Sequence, residues 1–151
     1  MGKYFSIDEM IKSSTGDSLG IDNTPTESHK KHINELISVL DNIREKWTEL
    51  CNEKKWGTGG IRVNSGYRTD RLNKAVGGSK TSEHRLGYAA DIEPINGRNK
   101  EFWDFMVRYV GENDIKFSQL INEKPRKGIP QWIHFSINGN KGQRGQIFTL
   151  V

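Results

Sequence analysis

One cysteine, Cys51, is the chain's entire thiol content, so no disulfide can form within it. Its position near the end of an expected helix marks it as a partly buried structural thiol rather than a nucleophile. No apolar run approaches the roughly 18 residues of a membrane span. The N-terminus carries no basic-then-apolar export signal. The expectation is a protein made soluble in the cytoplasm, which something else must deliver if its substrate lies outside. Hydrophobic residues are scarce at 33%, against 28% charged, which predicts a small core under a large polar surface. We find no internal repeat, linker or low-complexity segment.

The 151 residues fit one domain over 1–151, with a helical part at 1–56 and a sheet carrying the site at 57–151. Four Trp, four Tyr and six Phe argue against wholesale disorder. The net charge of +4 and pI of about 9.2 suit an anionic partner: nucleic acid, a membrane surface or an acidic cell-wall polymer. No nucleic-acid partner is expected, because the aromatics are not interleaved with a basic stripe and no recognition motif appears.

Ser6-Ile7-Asp8-Glu9 is a capping-box pattern that predicts a short helix through Met10 and Ile11. Ser13 to Asp17 reads as loop, and the segment to Asn23 as irregular chain lying on the body through Leu19 and Ile21. Thr24-Pro25-Thr26-Glu27 reads as a helix start with Thr24 as cap. Ile33, Leu36, Ile37, Leu40, Ile43, Trp47 and Leu50 then form one apolar stripe at helical spacing. His29 and His32, one turn apart, lack an evident third ligand and read as a solvated helix face. Strands are expected over Ile61–Ser65, Tyr88–Ile92, Ile115–Ile121, Gln131–Ile137 and Gly145–Leu150. Short helices are expected over Thr69–Val76 and from Phe102 to near Gly111. The class is α+β, a small mainly antiparallel sheet flanked by helices.

Ser82-Glu83-His84-Arg85-Leu86-Gly87-Tyr88-Ala89-Ala90-Asp91 places an imidazole seven residues before a carboxylate, and His134 follows far downstream in Trp132-Ile133-His134. His84, Asp91 and His134 are three borderline ligands. Three protein ligands with one open position make a catalytic zinc site, whereas structural sites are usually closed by four. Spacing alone leaves the bland alternative open: a loop histidine, a turn carboxylate and a hydrogen-bonded core histidine.

Ser65-Gly66-Tyr67-Arg68, Gly77-Gly78-Ser79, Ser82-x-His84-x-x-Gly87-x-Ala89-x-Asp91 and Trp132-x-His134 occur in that order. With Tyr4 to Glu9 and Arg144-Gly145-Gln146, they make nearly the whole chain resemble the zinc D-Ala-D-Ala carboxypeptidase family, including its phage endolysin members. The resemblance implies the Hedgehog/DD-peptidase fold, a Zn2+ cofactor on His84, Asp91 and His134, and a peptidoglycan peptide substrate. It implies that Arg68 contacts the substrate carboxylate or the developing oxyanion, where a cationic donor lowers the barrier. Ser82 is expected to bind substrate or support a ligand. Trp132 either lines the groove or packs in the core.

One position departs from the pattern. Many relatives carry glutamate three residues before the last histidine ligand, where this chain has Gln131, which cannot take a proton at ordinary pH. Glu123, closing the preceding strand, is the expected general base. Lys124, Arg126 and Lys127 steer an anionic polymer or are simply solvated. The reading is a monomeric peptidoglycan peptidase without a membrane span, acting on the wall after release by lysis machinery or as part of a virion. The alternative, motivated by Gln131, is a non-catalytic wall-binding or virion structural module.

Overall fold

The computed structural model describes residues 2–138 and 143–151. Its five strands are β1 (Ile61–Ser65), β2 (Ala89–Pro94), β3 (Gln119–Glu123), β4 (Trp132–Ser136) and β5 (Gln146–Leu150). They form one sheet in the order β1-β2-β4-β3-β5. Three neighbouring pairs are antiparallel, and β5 runs parallel to β3 at one edge. The protein is therefore α+β with a mixed, mainly antiparallel sheet.

Side chains alternate between the faces of a strand, and here the alternation divides core from cleft. Ala90, Ile92, Leu120, Ile133 and Phe135 share one face and are buried. That face joins the core with the helices α3 (Glu27–Lys54) and α5 (Asn99–Glu112). The apolar stripe of α3 is buried from Ile33 to Trp47 as the spacing predicts; Leu50 is only partly buried, and Cys51, expected to be partly buried, is fully so. Trp47 anchors the junction, its ring 5.0 Å from Phe102, 5.4 Å from Phe105 and 5.9 Å from Trp56. Fully burying side chains of this kind is worth about 1.5–3 kcal/mol each relative to exposure. Asp91, Ile121, Glu123, Trp132 and His134 lie on the other face.

Four local expectations change. Ser13 to Asp17 belongs not to a loop but to α2 (Ser14–Leu19), because the Ser13 hydroxyl accepts from the Gly16 amide as an N-cap. Leu19 is 57% exposed and does not hold the segment down; Gly16 is the residue buried there. The cap of α3 is Thr26 rather than Thr24, whose amide and hydroxyl both bond Asp22 Oδ1. The third strand starts at Gln119 rather than Ile115 and reaches Glu123, after Ile115 closes onto the Val110 carbonyl at the end of α5.

Ser6 caps α1 (Ile7–Ile11), as read from the sequence, and the helix expected over Thr69–Val76 is α4 (Asp70–Ala75), with Thr69 as its cap. Among the described residues no helix is long and apolar enough to cross a membrane.

Candidate active site

Asp91 on β2 and His134 on β4 are direct cross-strand partners, a relation that holds side chains about 5 Å apart on one face. His84 comes from a 3-10 turn over Glu83–Leu86 just before β2. Ser82 opens that turn, its hydroxyl accepting from the His84 amide at 3.2 Å. Gly87 closes it at φ +85°, a conformation that costs glycine little and other residues much. The tight approach of α3 reinforces the choice: a Cβ on Gly87 would lie 2.9 Å from the His29 carbonyl.

His29 and His32 do not form a solvated face. His32 Nδ1 lies 2.6 Å from the Leu86 carbonyl, and its ring stacks on Tyr88 with centroids 4.0 Å apart. His29 Nδ1 bonds the Tyr67 hydroxyl at 2.9 Å. Both brace the segments on either side of His84.

The three predicted ligands converge. One donor atom from each of His84, Asp91 and His134 lies within 4.8 Å of the others. His84 Nδ1 is 2.7 Å from the Gly66 carbonyl. A carbonyl only accepts, so Nδ1 carries the proton and Nε2 is the free lone pair of the neutral ring. Burial is the largest influence on His84 and lowers its pKa, with Asp91 opposing. The neutral Nε2 therefore faces Asp91 Oδ1 at 3.4 Å, acceptor toward acceptor. His134 Nδ1 approaches the same oxygen at 3.1 Å. Burial works against ionising Asp91, yet the imidazoles beside it, with His134 Nδ1 donating, hold its carboxyl well below the usual range. Lone pairs and a carboxylate focused on one point are a poor arrangement by themselves and a good cage for a cation. Two imidazoles with one carboxylate suit zinc.

This triad lies in a cleft of about 540 Å³, also lined by Arg68, Ser82, Glu123 and Trp132. Arg68 follows Tyr67 out of β1, and its amide donates to the His84 carbonyl at 3.0 Å. Its Nε is buried and without a partner among the described residues. Burial lowers the Arg68 pKa while Asp91 raises it. Glu123 pairs with Trp132 across β3 and β4, one side-chain repeat from His134 on the same face, a diagonal of about 7–8 Å. Burial first, and then the charge of Asp91, push the Glu123 carboxyl above its ordinary range. Trp132 lines the cleft, with Lys124 Nζ 5.9 Å from its ring centroid. Gln131 is engaged elsewhere, its amide donating to the Lys124 carbonyl at 2.8 Å.

The family model described as Peptidase M15 matches residues 3–123. The chain belongs to the peptidase M15 family. No curated protein matches it. The M15 match takes in Arg68, Ser82, His84, Asp91 and Glu123; Trp132 and His134 lie beyond it and join the site through β4. The M15 assignment makes this chain a peptidase. M15 peptidases depend on zinc, and the cluster of His84, Asp91 and His134 could hold such an ion.

Two cleft residues were given no role by the sequence reading. Glu83 sits between Ser82 and His84 and is 4% exposed. Arg144, from the closing Arg-Gly-Gln word, bonds Glu83 Oε1 at 3.0 Å. Their charges pointed to solvent, and no local pattern links positions so far apart.

Proposed function

We propose that this chain is a zinc-dependent D,D-peptidase hydrolysing an amide bond in peptidoglycan stem peptides, as a D-Ala-D-Ala carboxypeptidase or a cross-link endopeptidase. The observation that carries the reading is the convergence of His84, Asp91 and His134 in a cleft that also holds the Arg68 guanidinium, whose Nε has no partner among the described residues, and the Glu123 carboxyl. His84, Asp91 and His134 are the metal ligands in this reading. Zinc held there supplies Lewis acidity toward the scissile carbonyl and makes water acidic enough to serve as nucleophile near neutral pH.

The remaining work falls to the chain's own groups. Glu123 takes the proton from the attacking water and returns it to the leaving amine. Its pKa, raised chiefly by burial, makes it a stronger base toward that water than an ordinary carboxylate. Arg68 meets the negative charge that develops on the carbonyl oxygen. Ser82 holds the turn of His84 and offers its hydroxyl to substrate, and Trp132 provides an apolar wall. The orientation of Gln131 away from the cleft supports Glu123 as the base. Delivery to the wall by phage or prophage lysis machinery, or within a virion, accords with the basic charge and the resemblance to wall-lysing relatives.

The test is mass spectrometry of purified peptidoglycan after incubation with zinc-loaded protein, beside a chelated control. Loss of one terminal D-alanine identifies a carboxypeptidase. Resolution of dimeric muropeptides into monomers identifies an endopeptidase. Binding to walls from several bacterial types with no new termini would overturn the proposal in favour of the non-catalytic wall-binding or virion module.

A further inference from the structure

Glu83 is a buried carboxyl immediately before a candidate metal ligand, yet it is outside the triad. Its Oε1 accepts from Arg144 Nη2 at 3.0 Å and from the Ser136 hydroxyl at 3.3 Å, while its Oε2 is buried without a partner among the described residues. Ser118 and Ser136, both fully buried, frame the pair, and Arg144 Nε donates to Ser118 Oγ at 3.3 Å. In the orientation that satisfies its amide, Gln119 donates to Glu83 Oε1 at 3.2 Å and accepts from Arg144 Nη2 at 3.3 Å. Two edges of the Arg144 fork are thus held by buried acceptors. Nη1 has no partner among the described residues, and Arg144 lines the cleft.

A buried ion pair is weak as a stability device, because desolvation consumes much of the attraction. It is effective for fixing a guanidinium, whose rigid fork then offers its remaining donors to a carboxylate with little entropy left to lose. The cleft contains a second guanidinium, Arg68, and the two differ in setting. Arg68 is close enough to Asp91 and His84 for their charges to interact, which suits the oxygen of the reacting carbonyl. Arg144 is tied instead to Glu83.

We infer that Arg144, oriented by Glu83, is a specificity-determining residue that takes the free terminal carboxylate of the substrate peptide. The inference rests on the peptidase reading above and narrows it: the bond cut lies next to a free C-terminus. Glu83 is a positioning residue, acting through Arg144.

The test compares two peptides ending in D-Ala-D-Ala, one with a free C-terminal acid and one with a C-terminal amide, on zinc-loaded protein. The wild type should prefer the acid. Arg144→Gln should lower kcat/KM for the acid by about 10- to 100-fold, mainly through KM, and leave the amide unchanged, the span expected for one charge-assisted contact. Glu83→Gln should show a smaller loss of the same selectivity, and Arg144→Lys should restore part of it, with zinc content unchanged throughout. Equal losses on both peptides in Arg144→Gln, or no loss on either, would overturn the assignment, as would equal cutting by the wild type. Equilibrium binding of both peptides to zinc-loaded Glu123→Gln, with and without Arg144→Gln, reads the contact without turnover. Acid-selective binding that Arg144→Gln removes, with no cleavage by the wild type, would keep the contact and reject the peptidase reading. Binding with no preference for the acid would overturn the assignment.

Discussion

The Gly66 carbonyl accepts a 2.7 Å hydrogen bond from His84 Nδ1, and this contact aims Nε2 into the cleft. Partners of this kind typically contribute 10–100-fold in metal affinity. Gly66 is itself pinned, since a Cβ there would lie 2.2 Å from the Met10 carbonyl. Gly66→Ala must therefore displace backbone, and the carbonyl moves with it. We expect zinc affinity to fall about 10- to 100-fold in Gly66→Ala, and His84→Ala to lose zinc and activity together. Calorimetric zinc titration and metal analysis of the purified variants check both. Unchanged affinity in Gly66→Ala would show that the carbonyl does not orient the ligand.

Glu123→Gln keeps the shape of the proposed base and removes its proton affinity. Turnover on wall peptides should fall by about 10²- to 10⁴-fold, the usual contribution of a positioned acid–base group. Zinc content should stay at the wild-type level, because Glu123 is outside the ligand triad. Full turnover with zinc bound would return the search for a base to water or another cleft residue.

Acid should destabilise the chelated protein through His84. Burial holds its folded pKa below the ordinary 6.5. Below that pH the unfolded chain takes a proton that the folded ring refuses, so stability rises with pH in this window. The contribution is complete above about pH 6.5 and lost as pH falls toward the folded value. His29, also lowered chiefly by burial, acts in the same direction. Asp91 adds a lower step: its carboxyl is held below 3.8, so its contribution is present above 3.8 and lost beneath it. Melting curves between about pH 8 and pH 5 should show a steeper fall of Tm for wild type than for His84→Gln. Parallel curves would remove His84 from this account.

The helix stripe of α3, the cap at Ser6 and the short helix after Arg68 were legible because each is a local pattern with a local cause. The triad was legible as a set of residue types, and its assembly followed once β2 and β4 paired in the register Asp91 to His134. Glu123 depended on the same fact one strand further on. The Ser13 to Asp17 segment was misread because serine and glycine serve loops and caps alike, and the choice turned on the Ser13 hydroxyl finding the Gly16 amide. The bracing by His29 and His32 could not be read, since their partners Tyr67 and Leu86 are distant in sequence. The same distance concealed Glu83 and Arg144, whose relation depends on β4, β3 and the approach to β5 lying side by side.

The Asp91–His134 register also sets which changes of chain length this protein can absorb. A residue added inside β4 ahead of His134 would shift the parity of the strand, turning the imidazole toward Ile92 and Leu120 and bringing Phe135 into the cleft, unless a bulge took up the extra residue. The same addition between Lys124 and Pro130 falls outside the ladder that aligns the site and disturbs at most the isolated Arg126–Ile129 bridge. Length variation compatible with the metal cage should therefore concentrate in that β3–β4 connection, and within the strands it should come in twos.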